Sequence, residues 1–248
     1  MPLLLGVNID HVATLRQARY ARTPDSPNAE PSPLDAGRDA LAGGADSLTL
    51  HVRGDRRHMQ DADAFLIRRE IPLPLNLELG VTDEMIALAL KLRPEYACFV
   101  PESREEITTE GGLDVRGGFD RVRMAVARLQ DAGIKVSLFI DPDVAQVEAA
   151  AETCAEMIEL HTGCFANAAG ADSETELRRL IDAASNGHAA AMRVNAGHGL
   201  NYQNLTRLWP VPHLAELNIG HSIVSRAMRV GMTAAVREMK NLMTTYPG

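Results

Sequence analysis

The chain is predicted to fold as a (β/α)8 barrel, a closed eight-stranded parallel sheet with surrounding helices. Three observations predict it. Eight short apolar runs are spread along the 248 residues, helix-like stretches separate them, and each run ends in polar, chemically capable residues. Strands alternating with helices imply parallel pairing. Eight such units close into a barrel whose strand C-termini converge on one mouth, where catalytic groups sit. The length suits one barrel, so 1–248 is read as a single catalytic domain.

The runs are LLLGVNID (3–10), SLTLHVR (47–53), LPLNLEL (73–79), YACFVP (96–101), KVSLFID (135–141), MIELHTG (157–163), AAMRVNAGH (190–198) and HLAELNIGH (213–221). They end in Asp10 and His11; His51 and Arg53; Glu78; Glu102; Asp141; Glu159 and His161; Asn195 and His198; and Asn218 and His221. Helices are predicted over 34–42, 61–69, 82–92, 119–132, 143–153, 173–185, 201–208 and 222–245. Asp141-Pro-Asp143 and Asp172-Ser-Glu174 supply capping residues at helix starts, and Gly133 follows a helix end. The Pro-rich stretch 22–33 reads as a surface loop. The last helix carries Met228, Met232, Val236, Met239 and Met243 at helical spacing, an apolar stripe for packing. Segment 102–118 is long, charged and bracketed by Gly111-Gly112 and Gly117-Gly118, and is read as a lid hinged at those pairs.

Composition narrows the function. Hydrophobic content is 46%, charged content 23% and net charge −8, ordinary for a globular protein. With no basic block, nucleic acid is not an expected partner. Three cysteines without a C-x-x-C pair suit a reducing compartment. The N-terminus reads as a first strand rather than a signal peptide, and no run approaches the ~20 apolar residues of a membrane span. A cytoplasmic location without membrane association is expected.

Five of the eight histidines (His11, His51, His161, His198 and His221) fall at strand C-termini, with His58 just beyond one. With Glu78 and Glu159 they offer acids and bases tunable near neutral pH. Glu78 is expected to face the mouth among apolar walls, where burial raises its pKa. Asn195–Leu200 after strand seven, and Asn218–Ser222 opening the helix after strand eight, match the common phosphate site of these barrels. A second anion site is drawn from Arg53, Arg56, Arg57 and His58, and a further basic cluster from Arg16, Arg19 and Arg22. The three lysines, Lys91, Lys135 and Lys240, lie on helices or at the wrong end of a strand. An enzyme–substrate Schiff base is therefore disfavoured, and any imine nitrogen must come from the substrate. Neither a tight metal-ligand spacing nor a serine triad is apparent.

Beyond these readings, GVNIDHVATLRQAR (6–19), LHVRGDRRHM (50–59), NLELGVTDEM (76–85), VPESREEITTEGGLDV (100–115), VSLFIDPD (136–143), IELHTGCFA (158–166), VNAGHGLNYQN (194–204) and ELNIGHSIVSRA (216–227) resemble the pyridoxine 5′-phosphate synthase family across essentially the whole chain. The resemblance implies ring closure between 3-amino-2-oxopropyl phosphate and 1-deoxy-D-xylulose 5-phosphate, giving pyridoxine 5′-phosphate, phosphate and water. It implies no metal or organic cofactor, and a homo-oligomer, typically an octamer. It implies His51 and Glu78 as proton acceptors, His198 as proton donor and Glu159 as transition-state stabiliser. Asn8, Arg19, Gly199, Gly220 and His221 would hold the aminoketone phosphate. Asp10, His11, Arg53, His58 and Thr108 would hold the deoxyxylulose phosphate. The alternatives are a metal-dependent sugar-phosphate aldolase or isomerase, and a non-catalytic barrel that binds phosphorylated metabolites.

Overall fold

In the computed structural model, the structure describes residues 2–23, 26–102 and 111–248. Thr108 and the middle of the expected lid lie outside them. The strands are β1 (Leu4–Asn8), β2 (Ser47–His51), β3 (Leu75–Leu79), β4 (Tyr96–Phe99), β5 (Lys135–Ile140), β6 (Met157–His161), β7 (Arg193–Gly197) and β8 (Leu214–Ile219). All pair in parallel and in sequence order, and β1 closes on β8 to complete the barrel. The helices are α1 (Asp10–Tyr20), α2 (Pro33–Gly43), α3 (Asp61–Glu70), α4 (Asp83–Leu92), α5 (Phe119–Gln130), α6 (Val144–Glu152), α7 (Gly163–Asn167), α8 (Gly170–Ala189), α9 (His221–Val230) and α10 (Met232–Met243).

The apolar core lies outside the sheet, between strands and helices. Leu5, Val7, Leu48, Leu50, Leu77, Leu138, Ile158 and Leu217 face outward and are essentially inaccessible. Strand alternation then turns their neighbours inward. Most of those neighbours are polar. Ser47 donates to Glu216 at 2.5 Å, Thr49 to Asn218 at 3.0 Å, and Arg193 to Glu216 at 2.6 Å. Only Cys98, Val100 and Phe139 form a small apolar cluster of their own. Barrel interiors of this class usually carry bulky branched residues; here a hydrogen-bonded polar lining fills that space. A Cβ at Gly6 would meet Asn218 Oδ1 and Glu216 Oε1 at 2.0 and 2.8 Å, so the glycine makes room for this lining.

Four expectations need correction. Helix α1 follows β1 directly, although no helix was expected there. Its buried residues are Asp10, Val12, Ala13 and Arg16, so its apolar stripe is short and half polar. The predicted helix 201–208 is only a 3-10 turn at Leu205–Leu208. Asn201 and Asn204 hydrogen-bond their own local backbone and compete with helix formation. The last helix is two, because Gly231 adopts φ 84, ψ 154, a region that only glycine enters without large strain. Finally, the second glycine pair of the expected lid is no hinge. Leu113 N donates to Phe139 O at 2.7 Å, Gly117 N to Asp114 Oδ1 at 2.9 Å, and Val115 is fully buried. A Cβ at Gly112 would lie 2.1 Å from Asp141 N, so this stretch packs tightly on the end of β5.

Candidate active site

The strand ends gather two groups of side chains. On the β2–β3 side, His51 and Glu78 are paired in register on adjacent strands, with His51 Nδ1 4.0 Å from Glu78 Oε2. Asp10 locks this side to β1: its Oδ1 accepts from His51 N at 2.7 Å, and its Oδ2 accepts from Asn8 Nδ2 at 2.8 Å. Arg53 and His58 are buried beyond β2, and the His51 and His58 rings stand 6.0 Å apart. Met59 N donates to His58 Nδ1 at 2.7 Å. That bond makes Nδ1 the acceptor and leaves Nε2–H to donate.

On the β6–β8 side, Glu159 lies deep in the barrel and accepts from Asn218 Nδ2 at 2.6 Å. His198 follows β7 with φ 83, a left-handed backbone that costs roughly 1–3 kcal/mol in a non-glycine residue. The Thr162 hydroxyl holds this turn, 2.7 and 2.6 Å from the carbonyl oxygens of Gly197 and His198. The His161 ring stands 5.0 Å from that of His198 and is held by Asp141 Oδ1 at 3.0 Å from its Nδ1. His11 and His221 meet edge to face at 4.8 Å. Gly220 precedes α9, whose first turn has no acidic residue and no side-chain cap, so its N–H groups remain available to an anion. Ser222 ties this turn to the strand-seven loop by donating to Leu200 O at 2.8 Å. Gly199 has φ 76, and a Cβ there would lie 2.8 Å from Ala166.

Burial and neighbours tune these groups in opposite directions. Desolvation, with Asp10 and Glu159 adding repulsion, pushes Glu78 well above the usual carboxylate range against a hydrogen bond from Asn8. The expected rise is present; Cys98 of the small apolar cluster stands beside Glu78 on β4, and Asp10, Glu159 and Asn8 are its polar neighbours. Desolvation raises Glu159 to about 8, with Glu216 adding to it and the Asn218 bond opposing. Desolvation, then His161 and His11, lowers His198 to about 4. His11 and His58 are lowered chiefly by burial as well.

Other expected residues are placed differently. Arg19 sits at the exposed end of α1, roughly 13 Å along the helix from Asp10 at 1.5 Å per residue. Arg16 is a buried strut, bidentate to Asp63 at 2.7 Å and donating to His58 O. Arg56 is neutralised by Asp61 and Glu84, and Arg57 pairs with Asp55; Arg53 and His58 are the buried members of that set. Lys240 pairs with Asp46. Among the described residues, no group of three His, Cys, Asp or Glu side chains is arranged to hold a metal ion, and no helix is long and apolar enough to cross a membrane. Sequence reasoning noted Glu102, Asp141 and His161 at strand ends but assigned them no role. Their pairing with His51 and with each other is a matter of distance across strands, which residue order does not carry.

Comparisons with known proteins bear on this geometry. Residues 5–245 match the family described as Pyridoxal phosphate biosynthesis protein PdxJ. The chain is 64% identical over 239 residues to the pyridoxine 5′-phosphate synthase of Akkermansia muciniphila, covering 96% of this chain and 97% of that protein. It is 48% identical over 242 residues to the pyridoxine 5′-phosphate synthase of Idiomarina loihiensis, covering 97% of each. Two solved structures share the fold alone. KGPDC from Streptococcus mutans matches at a TM-score of 0.68 and 11% identity over all of both chains. Thiamine phosphate pyrophosphorylase from Pyrococcus furiosus matches at 0.62 and 13%, over 99% of this chain and 98% of that one. The chain therefore belongs to the PdxJ family of pyridoxal phosphate biosynthesis proteins.

Proposed function

We infer that this enzyme of vitamin B6 synthesis condenses 3-amino-2-oxopropyl phosphate with 1-deoxy-D-xylulose 5-phosphate, the pyridoxine 5′-phosphate synthase reaction, by acid–base chemistry at the barrel mouth. The observation that carries the reading is His51 facing Glu78 across two strands, opposite glycine-built turns at His198 and His221. The amine must condense with the ketone of the deoxyxylulose phosphate, that portion must lose its phosphate, and an enol carbon must attack the aminoketone carbonyl with loss of water, so protons are removed and returned several times. In our reading His51 and Glu78 accept protons and His198 donates. Glu159, protonated at neutral pH, donates a hydrogen bond to an oxygen that gains negative charge. The raised Glu78 carboxyl is a strong base once its proton has left.

The division of substrates follows the two sides of the mouth. Gly199, Gly220 and His221, with Asn8 and Arg19, would hold the aminoketone phosphate. Asp10, His11, Arg53, His58 and Thr108 would hold the deoxyxylulose phosphate. With its pKa lowered to about 4, His198 is neutral near pH 7; a phosphate dianion beside Gly199 raises that pKa and charges it for donation. The amine comes from the substrate, and no cofactor enters this scheme. A homo-oligomer, an octamer by resemblance, and a cytoplasmic location belong to the same reading. The test is purified protein in chelator with both substrates. Pyridoxine 5′-phosphate and inorganic phosphate should appear together, and neither should form when one substrate is omitted. Turnover that stops on chelation would favour a metal-dependent barrel instead.

A further inference from the structure

Glu102 is the acidic residue just beyond β4, and three donors from two other strand ends converge on it. His51 Nε2 lies 2.9 Å from its Oε1. Gly80 N, just beyond β3, donates to the same oxygen at 3.1 Å. Gly54 N, beyond β2, donates to Oε2 at 3.1 Å. The carboxyl is 18% exposed and His51 6%. Burial opposes ionisation of Glu102, yet the bonds from His51 and Gly54 hold its pKa below the usual range. The glycines make the convergence sterically feasible: a Cβ at position 80 would stand 3.0 Å from Glu102 Cδ, and one at 54 would stand 3.4 Å from Oε2.

We propose that Glu102 is a positioning residue that fixes the tautomer and orientation of His51. An ionised carboxylate accepts only, so it requires the proton of His51 on Nε2. The lone pair of Nδ1 then faces Glu78 and the mouth, on the side where a proton acceptor is needed. The three strand ends that supply His51, Glu78 and Glu102 are thereby tied by one side chain. An amide cannot replace it. Whichever way a glutamine is turned, its NH2 meets either Gly54 N–H or the His51 and Gly80 donors.

This proposal rests on His51 being the proton acceptor, but its tautomer can be read separately. Protein labelled with 15N-histidine, with His51 assigned by its loss in His51→Asn, should show His51 protonated on Nε2 alone. In Glu102→Gln the signal should shift towards the Nδ1–H form. In the same variant kcat should fall about 10–100-fold, as for other residues that orient a working imidazole, while both KM values stay within about threefold. An Nδ1–H tautomer in the wild-type protein overturns the proposal even if Glu102→Gln does not fold. So does unchanged turnover in the variant, or lost turnover with the His51 tautomer unaltered, which would make Glu102 a strand tie only. Full turnover in His51→Asn would remove the functional reading, whatever the tautomer.

Discussion

The two sides of the barrel mouth are built from different materials. Around β2, β3 and β4, side chains are pinned by carboxylates: Asp10 holds the His51 backbone, and Glu102 holds its ring. Around β6, β7 and β8, Asp141 holds His161, but strained or glycine backbone does most of the shaping: His198 at φ 83, Gly199 at φ 76, and an uncapped helix start after Gly220. A charged strut suits a group that must keep one protonation pattern. Bare backbone N–H groups suit a phosphate, which several donors must surround at once. In the proposed scheme both sides carry proton-transfer groups, but the first fixes them with side-chain carboxylates and the second surrounds a phosphate with backbone donors.

The largest effect should come from the first side. Glu78→Gln keeps size and hydrogen bonding, and His51→Asn keeps a polar group near the Nδ1 position while losing the Nε2 bond to Glu102. In each, kcat should fall about 10²–10⁴-fold, the usual worth of a general acid or base, with far-UV circular dichroism checking that the fold is retained. Near-normal turnover in both would move the chemistry to the other side of the mouth.

A smaller, asymmetric effect should separate the two anchors. Arg53→Ala should raise KM for the deoxyxylulose phosphate about tenfold or more and leave the aminoketone phosphate nearly unchanged. Gly199→Ala should do the reverse. It also carries a stability cost of about 1 kcal/mol, because a non-glycine residue is strained at this φ. Equal losses for both substrates in either variant would dissolve the division.

The smallest expected change is in stability, and it concerns the link between the sides. Glu159 holds its proton up to about pH 8 in the fold, whereas an unfolded glutamate loses it near pH 4.3. Between these values the native state binds more protons, so rising pH erodes stability. Glu159→Gln removes that penalty and can still accept from Asn218. Its Tm should exceed that of the wild-type protein at pH 8 by roughly 2–4 °C per kcal/mol recovered, converge with it near pH 4, and accompany a loss of turnover. Identical melting curves at pH 8 would mean that Glu159 is already ionised in the fold.

Strand ends were legible from the chain because each combines two local signals, an apolar run and a polar stop. Hence His51, Glu78, Glu159, His198 and His221 could be named before any contact was known. Helix α1 was missed because its buried face carries Asp10 and Arg16 beside Val12 and Ala13, which blurs apolar periodicity. Arg56 and Arg57 were read as anion ligands, and Arg16 as part of a basic cluster, because charge is visible in a sequence. Their partners Asp63, Asp61, Glu84 and Asp55 neutralise them through folded geometry.

What the sequence determined by itself is the order of strands, the end at which the histidines and acids collect, and the glycine turns after β7 and β8, since each depends on residues close together in the chain. The tertiary structure decided which charges pair with which, that the barrel is lined with polar groups while its core lies outside, and that Glu102 reaches His51. Those outcomes depend on burial and on distances of a few ångströms between strands, where Coulomb energies and desolvation change steeply.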